Sequence, residues 1–184
     1  MQISENSPGS ILASLISPNE NKPGLALVTG MRGAGKTCWC MDLVEHAHTL
    51  DLKLCGLISP AIFEGDQKVG IDLVDLNTGE RRRLAYHTGD MGGDFRTLDW
   101  QMVAETLDWG NSILESIDSC DLFILDEIGP IEFEQGVGLI AGLDIIDSCK
   151  KNPAVVVVRP SLLFMARKRW PWAQLINMPA QVEA

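Results

Sequence analysis

Two rhythms of apolar residues alternate along this chain. Leu25-Ala26-Leu27-Val28-Thr29 is a short apolar run that ends at a glycine, the pattern of a strand buried in a parallel sheet. Lys36–Leu50 follows, with Met41, Val44 and Leu50 near helical spacing, and predicts a helix. Leu52–Ile58 predicts a second strand, stopped by Ser59-Pro60. The next stretch differs. Ala61–Phe63, Val69–Leu76 and Arg83–Tyr86 are short strand-like runs broken by Glu64-Gly65-Asp66 and Asn77-Thr78-Gly79. Such turn residues predict antiparallel hairpins. A polar, glycine-rich loop follows, His87–Arg96. Asp99–Ile117 predicts a helix, because Trp100, Val103, Leu107, Ile113, Leu114 and Ile117 fall near one stripe. Asp121–Asp126 predicts a buried strand, Gly136–Cys149 a helix, Ala154–Val158 a strand, Ser161–Arg169 a short helix and Ala173–Met178 a last strand. Strands alternating with helices predict an α/β fold: a mostly parallel sheet flanked by helices, with right-handed crossovers and an antiparallel hairpin insertion.

One turn in this pattern carries chemistry. Gly30-Met31-Arg32-Gly33-Ala34-Gly35-Lys36-Thr37 matches Gly-x-x-x-x-Gly-Lys-Thr, the P-loop or Walker A motif, and lies between the first strand and the first helix. Gly30, Gly33 and Gly35 let the backbone fold tightly and turn its N–H groups onto phosphate oxygens. The helix that begins near Lys36 and Cys38 adds the positive end of its dipole. Lys36 is the candidate for the β- and γ-phosphates, and the Thr37 hydroxyl for Mg²⁺.

A second turn supplies the acid. Asp126-Glu127 closes an apolar strand, as a Walker B pair does. Beside a P-loop, Asp126 is a candidate to hold Mg²⁺ through its waters, since that ion keeps several waters and needs few carboxylates. Glu127 is then the candidate to orient or deprotonate an attacking water.

Charge and composition narrow the field. Fifteen basic and 25 acidic residues among 184 give a net charge of −10. That balance argues against nucleic acid or an anionic membrane as partner, yet allows a small anionic ligand at one positive loop. No apolar run reaches the ~20 residues that span a bilayer. Met1–Glu20 lacks the basic start and long apolar stretch of a secretory signal. Residues 1–23 are therefore expected as a flexible tail, in which Ile11–Ile16 could dock on the domain or on a partner, and residues 24–184 as one domain. Five cysteines, Cys38, Cys40, Cys55, Cys120 and Cys149, show no zinc spacing, and the expectation is a reduced, cytoplasmic protein.

The segment Asp126-Glu127-Ile128-Gly129-Pro130-Ile131-Glu132 resembles the Asp-Glu-Ile-Gly-x-Met-Glu signature of a nucleoside-triphosphatase family. That family includes the human cancer-related NTPase and thermophilic ATPase/GTPases. Gly56–Pro60, Val69–Leu76 and Leu84-Ala85 look like its strand and hairpin segment, and the likeness runs from about Gly24 to Met178. The resemblance implies a RecA-like P-loop NTPase fold and Mg²⁺-dependent hydrolysis of ATP, GTP and other triphosphates. Lys36 and Thr37 fall on the phosphate and metal positions, and Asp126 and Glu127 on the acidic pair. Glu132 matches the second glutamate of the signature, with no chemical role attached. Pro130 and Ile131 depart from the usual lysine and methionine, and Asp94-Phe95-Arg96 stands where many relatives have a tyrosine.

An arginine should neutralise charge on the γ-phosphoryl group. Arg159 ends the strand Ala154–Val158, on the sheet edge that carries the P-loop and Asp126, and Arg96 sits on the loop His87–Arg96. Arg81-Arg82-Arg83 and Arg167-Lys168-Arg169 read either as solvated faces or as further sources. No Asn-Lys-x-Asp guanine-reading motif follows the P-loop, so broad base specificity is expected. The first reading is hydrolysis of nucleoside triphosphates. A small-molecule or nucleotide kinase and a partner-activated nucleotide switch are the alternatives.

Overall fold

Ten strands form one mixed sheet in the computed structural model, which describes residues 6–17, 24–87, 100–148 and 153–179, and the backbone of 95–96. The strands are β1 (Leu25–Thr29), β2 (Leu54–Ile58), β3 (Ala61–Glu64), β4 (Gln67–Asp75), β5 (Arg81–His87), β6 (Phe95–Arg96), β7 (Trp100–Met102), β8 (Leu122–Ile128), β9 (Ala154–Val158) and β10 (Gln174–Asn177). Their order is β10-β1-β9-β8-β2-β4-β5-β7-β6, with β3 paired to β4. The first five run parallel, and β4, β5, β7 and β6 extend the sheet antiparallel from β2. The helices are α1 (Pro8–Ile16), α2 (Lys36–Thr49), α3 (Ala104–Glu115), α4 (Pro130–Gln135), α5 (Ile140–Ser148) and α6 (Leu163–Arg169), the last preceded by a 3₁₀ turn, Pro160–Leu162.

The central strands are apolar throughout because both faces are covered. Along β1, β8 and β9 side chains alternate between two cores. Leu25, Leu27, Phe123, Leu125, Val156 and Val158 meet α3, α5 and α6. Ala26, Val28, Leu122, Ile124, Val155 and Val157 meet α1 and α2. The hydrophobic effect thus closes both layers, and the strand ends are left to present loops.

Five expectations are corrected. Residues 8–16 of the expected flexible tail form helix α1. Ser7 accepts a hydrogen bond from Ser10 N–H at its start, and Ile11, Leu12 and Leu15 are buried against α2. The Trp39 indole N–H also donates to the Asn6 carbonyl at 3.0 Å. On α2 the buried stripe is Trp39, Cys40, Leu43 and Ala47, while Met41 and Leu50 are exposed. Trp39 and Cys40 therefore serve this core, while Cys38 is exposed. His46 and His48 lie on the exposed side of α2.

The expected helix from Asp99 begins later. Trp100–Met102 pairs with β5, and α3 starts at Ala104. Trp100 is an aromatic at a strand position, which suits a pleated, half-buried surface. The expected helix Gly136–Cys149 is shorter, Ile140–Ser148, and is preceded by α4, which opens on Pro130 and closes at left-handed Gly136. Cys55 and Cys120, expected as thiols, are paired as a disulfide with Cα atoms 6.0 Å apart. Adjacent strands bring them together, since Cys55 registers on Phe123 of β8. Cys38 and Cys40 are free, and Cys149 lies outside the described residues.

Candidate nucleotide site

The P-loop bridges β1 and α2. Gly30 follows the last residue of β1, Ala34 N–H closes a turn onto the Met31 carbonyl at 3.1 Å, and Gly35 caps α2 in the left-handed region at φ 80°. Only glycine takes that conformation without strain. Met31, Arg32, Gly33 and Cys38 are exposed and Ala34 is buried. Lys36 is buried, and its ammonium donates to the Gly30 carbonyl at 2.9 Å and to the Met31 carbonyl at 3.1 Å. The loop's own oxygens thus hold the charge that a phosphate would otherwise meet.

Sheet topology brings the acids to this loop. β9 lies between β1 and β8, and all three run parallel, so their C-terminal ends share one edge. At the end of β8 the register slips: Leu125 faces Val156 but Ile128 faces Val158. Asp126 and Glu127 therefore stand opposite one residue, Val157. A bulge of this kind re-aims side chains at a sheet edge.

Asp126 is 1% exposed. It accepts a hydrogen bond at 3.5 Å from Ser59 N–H, which follows β2, and the Thr37 side chain lies beside it. Burial pushes its pKa up to about 6, with the Glu127 charge adding to the rise; Thr37, Ser59 and Lys36 oppose it. A buried carboxylate with so little compensation suits a cation. Its oxygen and the Thr37 hydroxyl are the hard ligands that Mg²⁺ prefers. Among the described residues no group of three or more His, Cys, Asp or Glu could hold a metal. A phosphate-bound Mg²⁺ needs no such cage.

Glu127, three-quarters buried, pairs with Arg159 at the end of β9. The structure thus brings Lys36, Thr37, Asp126, Glu127 and Arg159 to one edge. The Arg96 side chain lies outside the described residues. Of the arginine runs, Arg81 and Arg83 hold the buried Asp72 at 3.0 and 2.8 Å, and Arg82 reaches Glu80 and the face of Trp109. Arg169 pairs with Asp147. These arginines brace the sheet and α5.

Two residues at this edge escaped the sequence reading, and a third was left without a role. Ser59 reaches Asp126 through its backbone, which no side-chain pattern signals. Lys68, on β4, lies within electrostatic reach of Arg32, Glu127, Asp126 and Arg159. Its only signal was its place in a hairpin. Glu132 was noticed without a role. Its buried carboxylate accepts from Gly129 N–H at 2.8 Å and from Leu139 N–H at 3.0 Å, and so ties down the turn that follows Glu127.

A β1–P-loop–α2 unit facing an acidic strand end two places across a parallel sheet defines a P-loop nucleotide-binding protein. Residues 26–170 match the NTPase family model, and the chain belongs to that family. It is 33% identical over 109 residues to the nucleoside-triphosphatase THEP1 of Methanocaldococcus jannaschii, covering 58% of this chain and 62% of that one. It is 30% identical over 137 residues to THEP1 of Thermofilum pendens, covering 73% and 74%. Against several of these curated relatives the match spans about three-fifths of their length. The fold matches the crystal structure of THEP1 from Aquifex aeolicus, with a TM-score of 0.63, 17% identity, and coverage of 85% of this chain and 91% of that one. A human cancer-related nucleoside triphosphatase matches with a TM-score of 0.63, 16% identity, and coverage of 85% and 89%.

Proposed function

We propose that this protein hydrolyses nucleoside triphosphates, ATP and GTP alike, to the diphosphate and phosphate with Mg²⁺. The observation that carries this reading is the meeting of Lys36 and Thr37 of the P-loop with Asp126 and Glu127 at one sheet edge. The P-loop N–H groups and the N-terminus of α2 would cradle the phosphates. Lys36 would exchange the Gly30 and Met31 carbonyls for phosphate oxygens, a strong charge-assisted contact. Thr37 and Asp126 would hold Mg²⁺, which neutralises phosphate charge. Glu127 would take a proton from the attacking water, and Arg159, released from Glu127, would face the γ-phosphoryl group.

Glu127 supports hydrolysis over transfer to an acceptor. A kinase must keep water from the γ-phosphate until a lid closes. Here the carboxylate stands on a sheet edge beside the metal ligand before any loop moves. The absent guanine-reading motif supports turnover of several bases.

The test follows γ-labelled ATP with purified protein and no acceptor. All label should appear as free phosphate, and Lys36→Ala should abolish the release while the circular dichroism spectrum stays unchanged. Label on an organic acceptor from added metabolites would reverse the reading in favour of a kinase.

A further inference from the structure

Helices α3, α5 and α6 cover one face of the sheet, and their outer surface carries two features of opposite charge. Where α3 ends, Leu114 and Ile117 meet Ala141 and Ile145 of α5 at an apolar groove, with Glu115 and Asp144 also on its walls. The groove holds about 260 Å³. That is less than the ~300–1,000 Å³ of small-molecule sites, and suits a protruding side chain. The second feature lies along α6, where Pro160, Leu163, Phe164, Arg167 and Lys168 surround an open hollow. Phe164 is 80% exposed, more than any other large apolar side chain among the described residues. Arg167 and Lys168 follow it by three and four residues, on the same helix face. Helical spacing sets Ala141 and Ile145 on one flank of α5 and Asp147 on the opposite flank. Asp147 holds Arg169 of α6 at 2.8 Å, so α5 separates the two features. Arg169 is thereby committed. Among the described residues, Arg167, Lys168, Glu115 and Asp144 form no ion pair.

We propose that this protein forms a two-fold dimer in which Phe164, Arg167 and Lys168 of each copy dock on the α3–α5 groove of the other. The two features are complementary in both respects that matter at an interface. An exposed ring faces an apolar groove, and two cations face two carboxylates. Because they flank one helix, a two-fold axis near α5 makes both contacts at once, the reciprocal arrangement of an isologous interface. Charge favours a second copy in this orientation. Two chains of net charge −10 repel one another, so a self-contact must bring the scarce cations onto carboxylates. An unrelated acidic partner would use the α6 cations but leave the acid-walled groove empty. The plain alternative is a solvated basic helix, which accounts for Arg167 and Lys168 but leaves both Phe164 and the groove in water. The dimer stands apart from the nucleotide reading, since none of these residues belongs to the P-loop edge.

Sedimentation equilibrium on the full chain tests this. Twice the monomer mass should be approached between about 1 and 100 μM. Phe164→Ser should weaken the dimer about tenfold or more, the scale of a lost aromatic anchor. Two charge reversals identify the contact. Arg167→Glu with Lys168→Glu makes both features acidic, and Glu115→Lys with Asp144→Lys makes both basic. Each reversed protein alone should be a monomer, and an equimolar mixture should regain the dimer, since every basic feature then meets an acidic one. All the changed side chains are exposed, and circular dichroism should match the parent. A parent that stays monomeric throughout this range would overturn the proposal. So would a dimer that ignores Phe164→Ser and both reversals, or reversed proteins that stay apart when mixed. Mass climbing beyond the dimer would overturn the two-fold closure.

Discussion

Arg159 Nε donates to Glu127 Oε1, joining the end of β9 to the bulge of β8. The proposed water-activating group and the proposed γ-phosphate cation thus hold each other before nucleotide arrives. The Arg159 side chain is 55% exposed. Pairs of this kind add little to stability, typically below ~1 kcal/mol. Arg159→Ala should therefore melt within about 2 °C of the parent. Its turnover should fall by roughly a hundredfold to a thousandfold, toward the lower range for a lost phosphoryl-stabilising arginine. Thermal melts and phosphate release check both parts. Unchanged turnover would remove Arg159 from the chemistry.

Glu127→Gln keeps the shape of the side chain and removes its basicity. Affinity for Mg²⁺–ATPγS should stay within about threefold, and phosphate release should drop about a hundredfold or more, the scale of a lost general base. Calorimetry and single-turnover kinetics separate the two effects. Parent-rate hydrolysis would send the search for the base elsewhere.

Asp126→Asn should act on the metal. The variant keeps an oxygen toward Thr37 but loses the charge, so half-maximal turnover should need about tenfold or more Mg²⁺. A Mg²⁺ titration at saturating ATP is the measurement. An unchanged Mg²⁺ requirement would exclude Asp126 as the metal carboxylate.

Much of this site was legible in the chain because it is built from short-range patterns. The motif from Gly30 to Thr37 names its own backbone geometry, and the run Leu122–Leu125 before Asp126 declares a buried strand. What was hidden depends on long-range pairing. Lys68 gains its surroundings only when β4 folds beside β2 and Trp100 joins β5. Trp100 could pass for part of a helix because its spacing to Val103 and Leu107 suits one. Cross-strand pairing decided otherwise. Helix α1 was obscured by its Ser/Pro-rich surroundings, and its burial depends on Trp39, 33 residues from its partner Asn6. The pairing of Cys55 with Cys120 also follows from strand adjacency rather than from spacing.

Glu132 gives the last prediction. Its carboxylate accepts from Gly129 and Leu139 N–H, and it needs Gly138 beside it: a Cβ there would stand 2.1 Å from Glu132 Oε1, at a φ of +88°. Burial raises the Glu132 pKa, while hydrogen bonds from the Leu139 and Gly129 backbone oppose the rise. The folded state therefore holds this proton more tightly than the unfolded chain. It follows that Glu132 stabilises the fold most below its unfolded pKa of ~4.3, and that this contribution declines as pH rises through the folded value. Glu132→Gln cannot ionise, and its amide offers one acceptor for two N–H groups. It should be less stable at pH 4.5 by about 1–3 kcal/mol, the cost of one buried unpaired donor. The gap to the parent should narrow toward pH 7, because only the parent loses stability through this group. Urea midpoints from pH 4.5 to 8 for both proteins give the difference directly, since other titrating groups cancel. A gap that stays constant would mean that Glu132 titrates alike in folded and unfolded chains. Restraint of the turn after Glu127 would then have to be ascribed to its hydrogen bonds without any contribution from burial of charge.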